Sequence, residues 1–230
     1  MKKIVAVIPA RAGSRGIKNK NMIDIKGFPL LYYSIETAKK SKYIQEIYIS
    51  TDSIEIGELG EKYGAKFIFR PHLFAMDDSL DLEWVNHFLG RVDCDLAVHL
   101  RPTTPIRDVA VVDDAILKML QSPDATSLRS AHRVNESPYK MFVKEEKWFK
   151  PFMQGEGEFF NKPRQEFSNV FNPNGYVDII RPSYVKKNNR LHGNNILAFI
   201  TEKVIELDTE EDLKELKDYY NESRHRNPNN

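Results

Sequence analysis

One cysteine, Cys94, stands in 230 residues. That excludes an internal disulfide framework and any multi-cysteine metal centre. It fits a reducing compartment, with Cys94 serving as a small buried hydrophobe. Glycine and proline are sparse, at 11 and 12 residues, which excludes collagen-like and low-complexity chains. A surplus of one charge is also missing: 34 Lys and Arg face 33 Asp and Glu, leaving +1. General nucleic-acid binders carry a basic surplus, so no nucleic-acid partner is expected. No apolar run approaches the roughly 20 residues that span a bilayer, so no membrane partner is expected either. The opening MKKIVAVIPARAGS does not read as a secretory leader, because its apolar run 4–10 is only strand-long and leads into a charged loop. A cytoplasmic location follows as an expectation. The six histidines are scattered, and neither H-E-x-x-H nor a serine- or thiol-hydrolase pattern occurs.

What the sequence does contain is alternation. Hydrophobic residues make up 41%, enough for one sizeable core. Apolar runs of strand length at 4–10, 46–51, 66–70, 94–100, 125–131 and 175–182 alternate with helix-period segments. The helices are expected at 28–41, 52–63, 79–90 and 108–121, with a last one following Thr209. Two capping boxes are expected, Asp52–Glu55 and Thr209–Asp212. The predicted fold is α/β: a mostly parallel sheet flanked by helices, with ligands beyond the carboxyl ends of the strands. Residues 133–172 break the pattern with aromatic, charged and Pro/Gly-rich text. They are expected to leave the sheet as an arm, with a second copy of the chain as the fitting partner. A single domain over 1–222 and a disordered tail over 223–230 complete the expectation.

The densest chemistry follows the first strand. Arg11, Ala12, Gly13, Ser14, Arg15, Gly16, Lys18, Lys20 and Asn21 combine two glycines with four cations, a composition suited to polyphosphate. It is neither a P-loop nor G-x-G-x-x-G, and a solvated basic turn has the same composition. The loop Arg101–Arg107 is stiffened by two prolines and carries hydroxyls and arginines. Glu206 and Asp208 alternate toward one side if extended. They suit Mg²⁺, which takes one or two carboxylates plus phosphate oxygens, or they favour a helix N-terminus. Arg164 could pair with a carboxylate. Asp52 reads as a helix cap.

The blocks IPARAGSRGIKNKN, STDS, FRPHLFAMDDS, RPTTPIR, PRQ, PNGYVDI and ELDTEEDL, taken in order, resemble the acylneuraminate cytidylyltransferases. That family holds the CMP-sialic acid synthetases and relatives acting on legionaminic, pseudaminic and other nonulosonic acids. The resemblance implies a Rossmann-like nucleotidyltransferase fold, a homodimer docked through the 133–172 arm, and Mg²⁺ as cofactor. It implies that CTP and a sialic-acid-like sugar acid give the CMP-sugar and pyrophosphate. By position, the nucleotide falls to residues 11–15, Lys20, Asn21, Arg70, Asp77, Asp78 and Ser79. The sugar acid falls to Arg101, Thr103, Lys140, Arg164, Gln165, Asn174 and Asp178, and the metal to Glu206 and Asp208. Arg11, Lys20 and Asp208 are the implied catalytic set. An octulosonic acid such as Kdo, or a sugar phosphate with another nucleotide, is the alternative acceptor. Three positions depart from the family pattern: Arg101 where Gln is usual, Asp178 where Tyr is usual, and Glu206 in the acidic pair. The first two fall where the acceptor would bind.

Overall fold

The computed structural model describes residues 2–14 and 16–226. The continuously apolar first strand, β1 (Ile4–Pro9), sets the layering. Ile4, Ala6 and Ile8 point to one face and pack with Leu31 and Ile35 of helix α1 (Leu30–Lys40) and Val112 and Ile116 of α4 (Val109–Gln121). Val5 and Val7 point to the other face and meet Trp84, Val85 and Phe88 of α3 (Asp81–Leu89) and Val185 of α5 (Pro182–Asn188). A strand covered on both faces has no polar side to show, hence its unbroken apolar run.

The remaining strands are β4 (Glu46–Thr51), β5 (Lys66–Phe69), β6 (Leu96–His99), β7 (Ser127–Arg133), β10 (Phe171–Ile180) and β11 (Ile196–Ile200). With β1 they form one seven-stranded sheet in the order β11-β7-β10-β6-β1-β4-β5. Strands β5, β4, β1 and β6 pair in parallel, and β11 pairs in parallel with β7. Only β10 runs antiparallel to its neighbours β6 and β7. The mostly parallel, helix-flanked sheet is the one the alternation predicts. Three local readings need correction. Helix α1 begins at Leu30, because Phe28–Pro29 (β3) and Asp24–Ile25 (β2) close a two-stranded ribbon. Helix α2 (Ile54–Lys62) is capped by Ser53, whose Oγ accepts from Ile56 N at 3.3 Å, and not by Asp52. Helix α5 and edge strand β11 carry no strong periodic signal and were not expected.

The chain leaves the sheet after Arg133 and returns at Phe171. Between them β8 (Phe142–Glu145) and β9 (Trp148–Pro151) form an antiparallel hairpin. Trp148, Phe149 and Phe152 on it are 58–72% exposed, far more apolar surface than a small ribbon can fold under itself.

A third cluster matters most for the site. Ile17, Ile25 and Leu30 from the start of the chain pack on Leu207, Leu213 and Leu216 from its end. Each fully buried side chain of this size contributes on the order of 1.5–3 kcal/mol. Helix α6 (Glu210–Arg226) starts at a reciprocal cap: Thr209 Oγ1 accepts from Asp212 N at 3.2 Å, and Asp212 Oδ2 accepts from Thr209 N at 2.7 Å. The helix runs to Arg226, into the stretch expected to be disordered; residues 227–230 lie outside the described residues.

Candidate active site

A cleft of about 480 Å³ opens beyond the carboxyl ends of β1, β5 and β6. The loop after β1 supplies Arg11, Ser14, Gly16, Lys20 and Asn21 to its lining. Asp52, at the end of β4, fixes this loop by accepting the Ala12 N–H at 2.8 Å, and its other oxygen lies 3.2 Å from His72 Nδ1. Burial works against its charge, but the Ala12 hydrogen bond and its neighbours prevail and hold its carboxyl below the ordinary range. Asn21 is buried and donates to the Arg11 carbonyl at 2.9 Å, closing the loop on itself. Lys20 is buried beneath it. Its Nζ donates to the Leu207 carbonyl at 2.8 Å and pairs with Asp208 Oδ1 at 2.7 Å. A Cβ on Gly16 would lie 2.0 Å from the Asp208 carbonyl oxygen, so only glycine lets the two segments meet.

The opposite wall is residues 70–80. Arg11 donates to the Met76 carbonyl at 2.9 Å and pairs with Asp77 Oδ1 at 2.8 Å. Ser79 lines the cleft and donates to the Leu73 carbonyl, forming a turn. Arg70 is 3% exposed, and its Nε has no hydrogen-bond partner among the described residues. Burial pulls its pKa below the ordinary arginine value, which a bound oxygen acceptor would relieve.

Arg101 and Thr103 form the third wall. The Thr103 carbonyl accepts from Leu207 N at 2.8 Å, tying this loop to the segment that carries Asp208. Arg101 Nη2 donates to Asp81 Oδ2 at 2.9 Å, and Asp81 Oδ1 accepts from Trp84 Nε1 at 2.9 Å. Burial would raise the Asp81 carboxyl, but Arg101 overrides it and holds it at about 2. Behind them Arg107 is sequestered, donating to the carbonyls of Tyr176 at 2.6 Å and Arg101 at 2.7 Å. Burial lowers its pKa to about 9. Arg107 therefore clips the loop to β10 rather than facing a ligand.

Other expected positions fall elsewhere. Asp178 is 3% exposed and is not part of the cleft surface; it lies behind Arg101, and burial raises its carboxyl against the pull of Arg129 and Arg101. Asn174 is also buried. Its amide donates to Thr201 Oγ1 at 2.7 Å and its carbonyl oxygen accepts from Tyr176 N at 3.3 Å, so it shapes a bulge in β10. Glu206 lines an adjoining cleft of about 410 Å³, while Asp208 faces the main one. Burial and the charge of Asp208 both raise the Glu206 carboxyl. Among the described residues no three His, Cys, Asp or Glu side chains converge on one point. Lys140, Arg164 and Gln165 stand on the arm and do not line the cleft of their own chain; Arg164 borders a small pocket with Ser137 and Phe167. Ala12, Gly13 and Asp78 stand beside the cleft without lining it. Arg15 lies outside the described residues. Sequence reasoning misses Asp52 and Asp81 as site residues, since each is one polar residue at an element boundary whose partner is fixed only by the fold, and it offers Arg107 to a ligand where the structure buries it on backbone carbonyls.

A family model described as Cytidylyltransferase matches residues 5–225. The chain is 30% identical over 211 residues to the N-acylneuraminate cytidylyltransferase of Escherichia coli, covering 91% of this chain and 49% of that protein. It is 29% identical over 221 residues to the post-translational flagellin modification protein B of Campylobacter coli, covering 93% and 92%. The chain thus spans about half the length of the first of these relatives. Among solved structures, a CMP:2-keto-3-deoxy-manno-octonic acid synthetase complexed with CTP superposes with a TM-score of 0.75 at 18% identity, covering 96% of this chain and 99% of that one. The match runs from β1 into α6, through every segment that builds the cleft, and on it the chain belongs to the cytidylyltransferase family of nucleotidyltransferases.

Proposed function

We propose that this protein uses CTP to activate a nonulosonic, sialic-acid-like sugar acid, giving the CMP-sugar and pyrophosphate. The observation that carries this reading is the cleft itself. Arg11, Lys20 and Arg70 converge on a pocket with Asp208 at its rim and Arg101 on the wall beyond. The name of the Escherichia coli relative supplies the acceptor class.

Transfer of a nucleotidyl group is mostly positioning and charge stabilisation. The anomeric hydroxyl of the acceptor attacks the α-phosphorus, the bond to the β-phosphate oxygen breaks, and pyrophosphate leaves. Arg11 and Lys20 neutralise the charge that builds on the leaving group. Arg70 and the 77–79 turn hold the nucleoside, Arg70 through its unpartnered Nε. Arg101 and Thr103 face the acceptor. Asp208 faces the main cleft and Glu206 the adjoining one, so Asp208 is the hard oxygen donor placed to hold Mg²⁺ beside phosphate oxygens, and Glu206 would have to turn toward it to join the set. When bound, the ion would polarise the α-phosphate and lower the pKa of a ligated hydroxyl. Lys20, paired with Asp208 and bonded to the Leu207 carbonyl, stands at the end of the cleft where the phosphates would lie. The exposed hairpin docks on a second copy, bringing Lys140, Arg164 and Gln165 to the partner's cleft.

Pyrophosphate release with Mg²⁺, CTP and a panel of N-acetylneuraminic, legionaminic and pseudaminic acids and Kdo tests the reading, with UTP and GTP as controls. Release with CTP and one nonulosonic acid is expected. Release only with Kdo moves the acceptor assignment, and no release with any acceptor overturns the reading.

A further inference from the structure

We propose that Asp178 is a positioning residue that sets acceptor specificity through Arg101, holding that guanidinium so that its free N–H groups read an uncharged oxygen substituent of the sugar acid. The inference rests on the cytidylyltransferase reading above.

Asp178 pairs in register with His99 of β6 on one side and Arg129 of β7 on the other. The pleat turns all three toward α3, the face that also carries Ala97 and Ile180. Asp178 Oδ2 is 3.8 Å from Arg101 Nη2, and Oδ1 is 3.6 Å from Arg129 Nε. Neither Oδ1 nor Arg129 Nε has a hydrogen-bond partner among the described residues. A buried carboxylate supported by one backbone hydrogen bond from Ser130 and by two charges at 3.6–3.8 Å is costly to keep. Its position explains it: it is the second anion on Arg101, after Asp81.

Every other part of Arg101 is also fixed. Its carbonyl accepts from Arg107 Nη2 at 2.7 Å and Ser34 Oγ at 3.3 Å. Its stem lies against Gly175, where a Cβ would come within 3.0 Å of Arg101 Cδ and where φ is +61°. Among the described residues the Arg101 side chain donates only through Nη2, and Arg101 lines the cleft, so Nη1 and Nε remain as donors for a ligand there. An arginine offers donors and no acceptor. Asp81 and Asp178, with Glu206 farther off, already set negative charge on Arg101, so the wall calls for an oxygen such as an amide carbonyl or hydroxyl and not for a further anion.

The test is a double-mutant cycle on Asp178→Asn and Arg101→Gln, reading acceptor KM, CTP KM and melting temperature. Asp178→Asn should raise acceptor KM about tenfold and leave CTP KM within about twofold, as loss of one orienting charge predicts. In the Arg101→Gln background it should add less than about twofold. Unchanged acceptor KM, an equal rise in CTP KM, or the same effect in both backgrounds overturns the proposal. Arg101→Gln alone gives a second reading if Asp178→Asn does not fold: an unchanged acceptor KM there also overturns it. A wild-type protein that releases no pyrophosphate with any acceptor refutes the parent reading, and this one with it.

Discussion

Gly16 and Asp208 meet backbone to backbone, and the contact leaves no room for a methyl group. Gly16→Ala should therefore push the loop after β1 off the Asp208 segment. We expect CTP KM to rise at least tenfold with a small change in melting temperature, because the loop moves while the core stays packed. Isothermal titration with CTP and a thermal melt separate the two, and an unchanged CTP affinity would refute the close contact. Asp208→Asn tests a different property. Asp208 is 65% exposed and its ion pair with Lys20 is half in water, worth at most about 1 kcal/mol to stability. If Asp208 holds the proposed Mg²⁺, the substitution should leave folding and CTP affinity nearly intact and lower kcat by two orders of magnitude or more, since metal placement matters most in the transition state. Retained turnover would refute that role for Asp208. At this scale, Arg11 and Lys20 were legible in the sequence because glycines and cations crowd a single loop after a strand, whereas Arg70 and Arg101, on the other walls of the cleft, were assigned to the site only by the family resemblance. Asp52 was not: its partner, the Ala12 N–H, lies 40 residues away. Asp81 was read as part of a helix, although it holds Arg101.

Among the elements, the start of α6 positions the site. Asp212 Oδ2 accepts from Asp208 N, Thr209 N and Thr209 Oγ1 at 2.7–3.0 Å. Asp212→Ala removes all three, and a lost cap costs about 1 kcal/mol. A fall of about 2–4 °C in melting temperature is expected for a domain of this size. Turnover should fall further than stability, because Asp208 loses its tether, and a variant with wild-type kcat would show that the cap serves folding alone. This helix start was legible as a capping box, since the signal is local. The antiparallel β10 was legible as a strand but not in direction or register. Its bulge between Pro173 and Asp178 is held by Asn174, which donates to Thr201, and by Arg107, which donates to the Tyr176 carbonyl, both across the fold. The edge strand β11 carries half-exposed Ile196 and Ile200, and nothing within its own five residues separates a strand from a buried loop.

For the whole molecule, the arm is the open question of assembly, and its residues make a mixing experiment decisive. Arg164→Ala and Asp208→Asn chains should each be nearly inactive with the sugar acid. If the arm serves the partner's cleft, unfolding and refolding them together should restore about a quarter of wild-type activity, since half the dimers are mixed and each holds one intact site. Activity that stays at the level of the separate variants would place Arg164 in its own chain's cleft or outside the site. If the hairpin holds the proposed dimer, sedimentation of Trp148→Ser/Phe149→Ser should show a shift from dimer to monomer, and an unchanged profile would move the contact elsewhere. The layering of the molecule was legible from the apolar alternation. The route of the arm was not, because exposed aromatic text says only that a partner is needed.

The contact of Lys20 with Leu207 and Asp208 spans 187 residues, and the surrounding Ile17–Leu216 cluster joins the first strand's loop to the last helix. During synthesis at about 5–20 residues per second, roughly 10–40 s pass between the emergence of one partner and the other. Through that interval the basic loop has no floor, and its apolar underside faces solvent or a chaperone. The sheet can assemble strand by strand as it leaves the ribosome, but the basic end of the cleft closes only when α6 arrives. The cleft is therefore completed late in folding, however early its first loop is made.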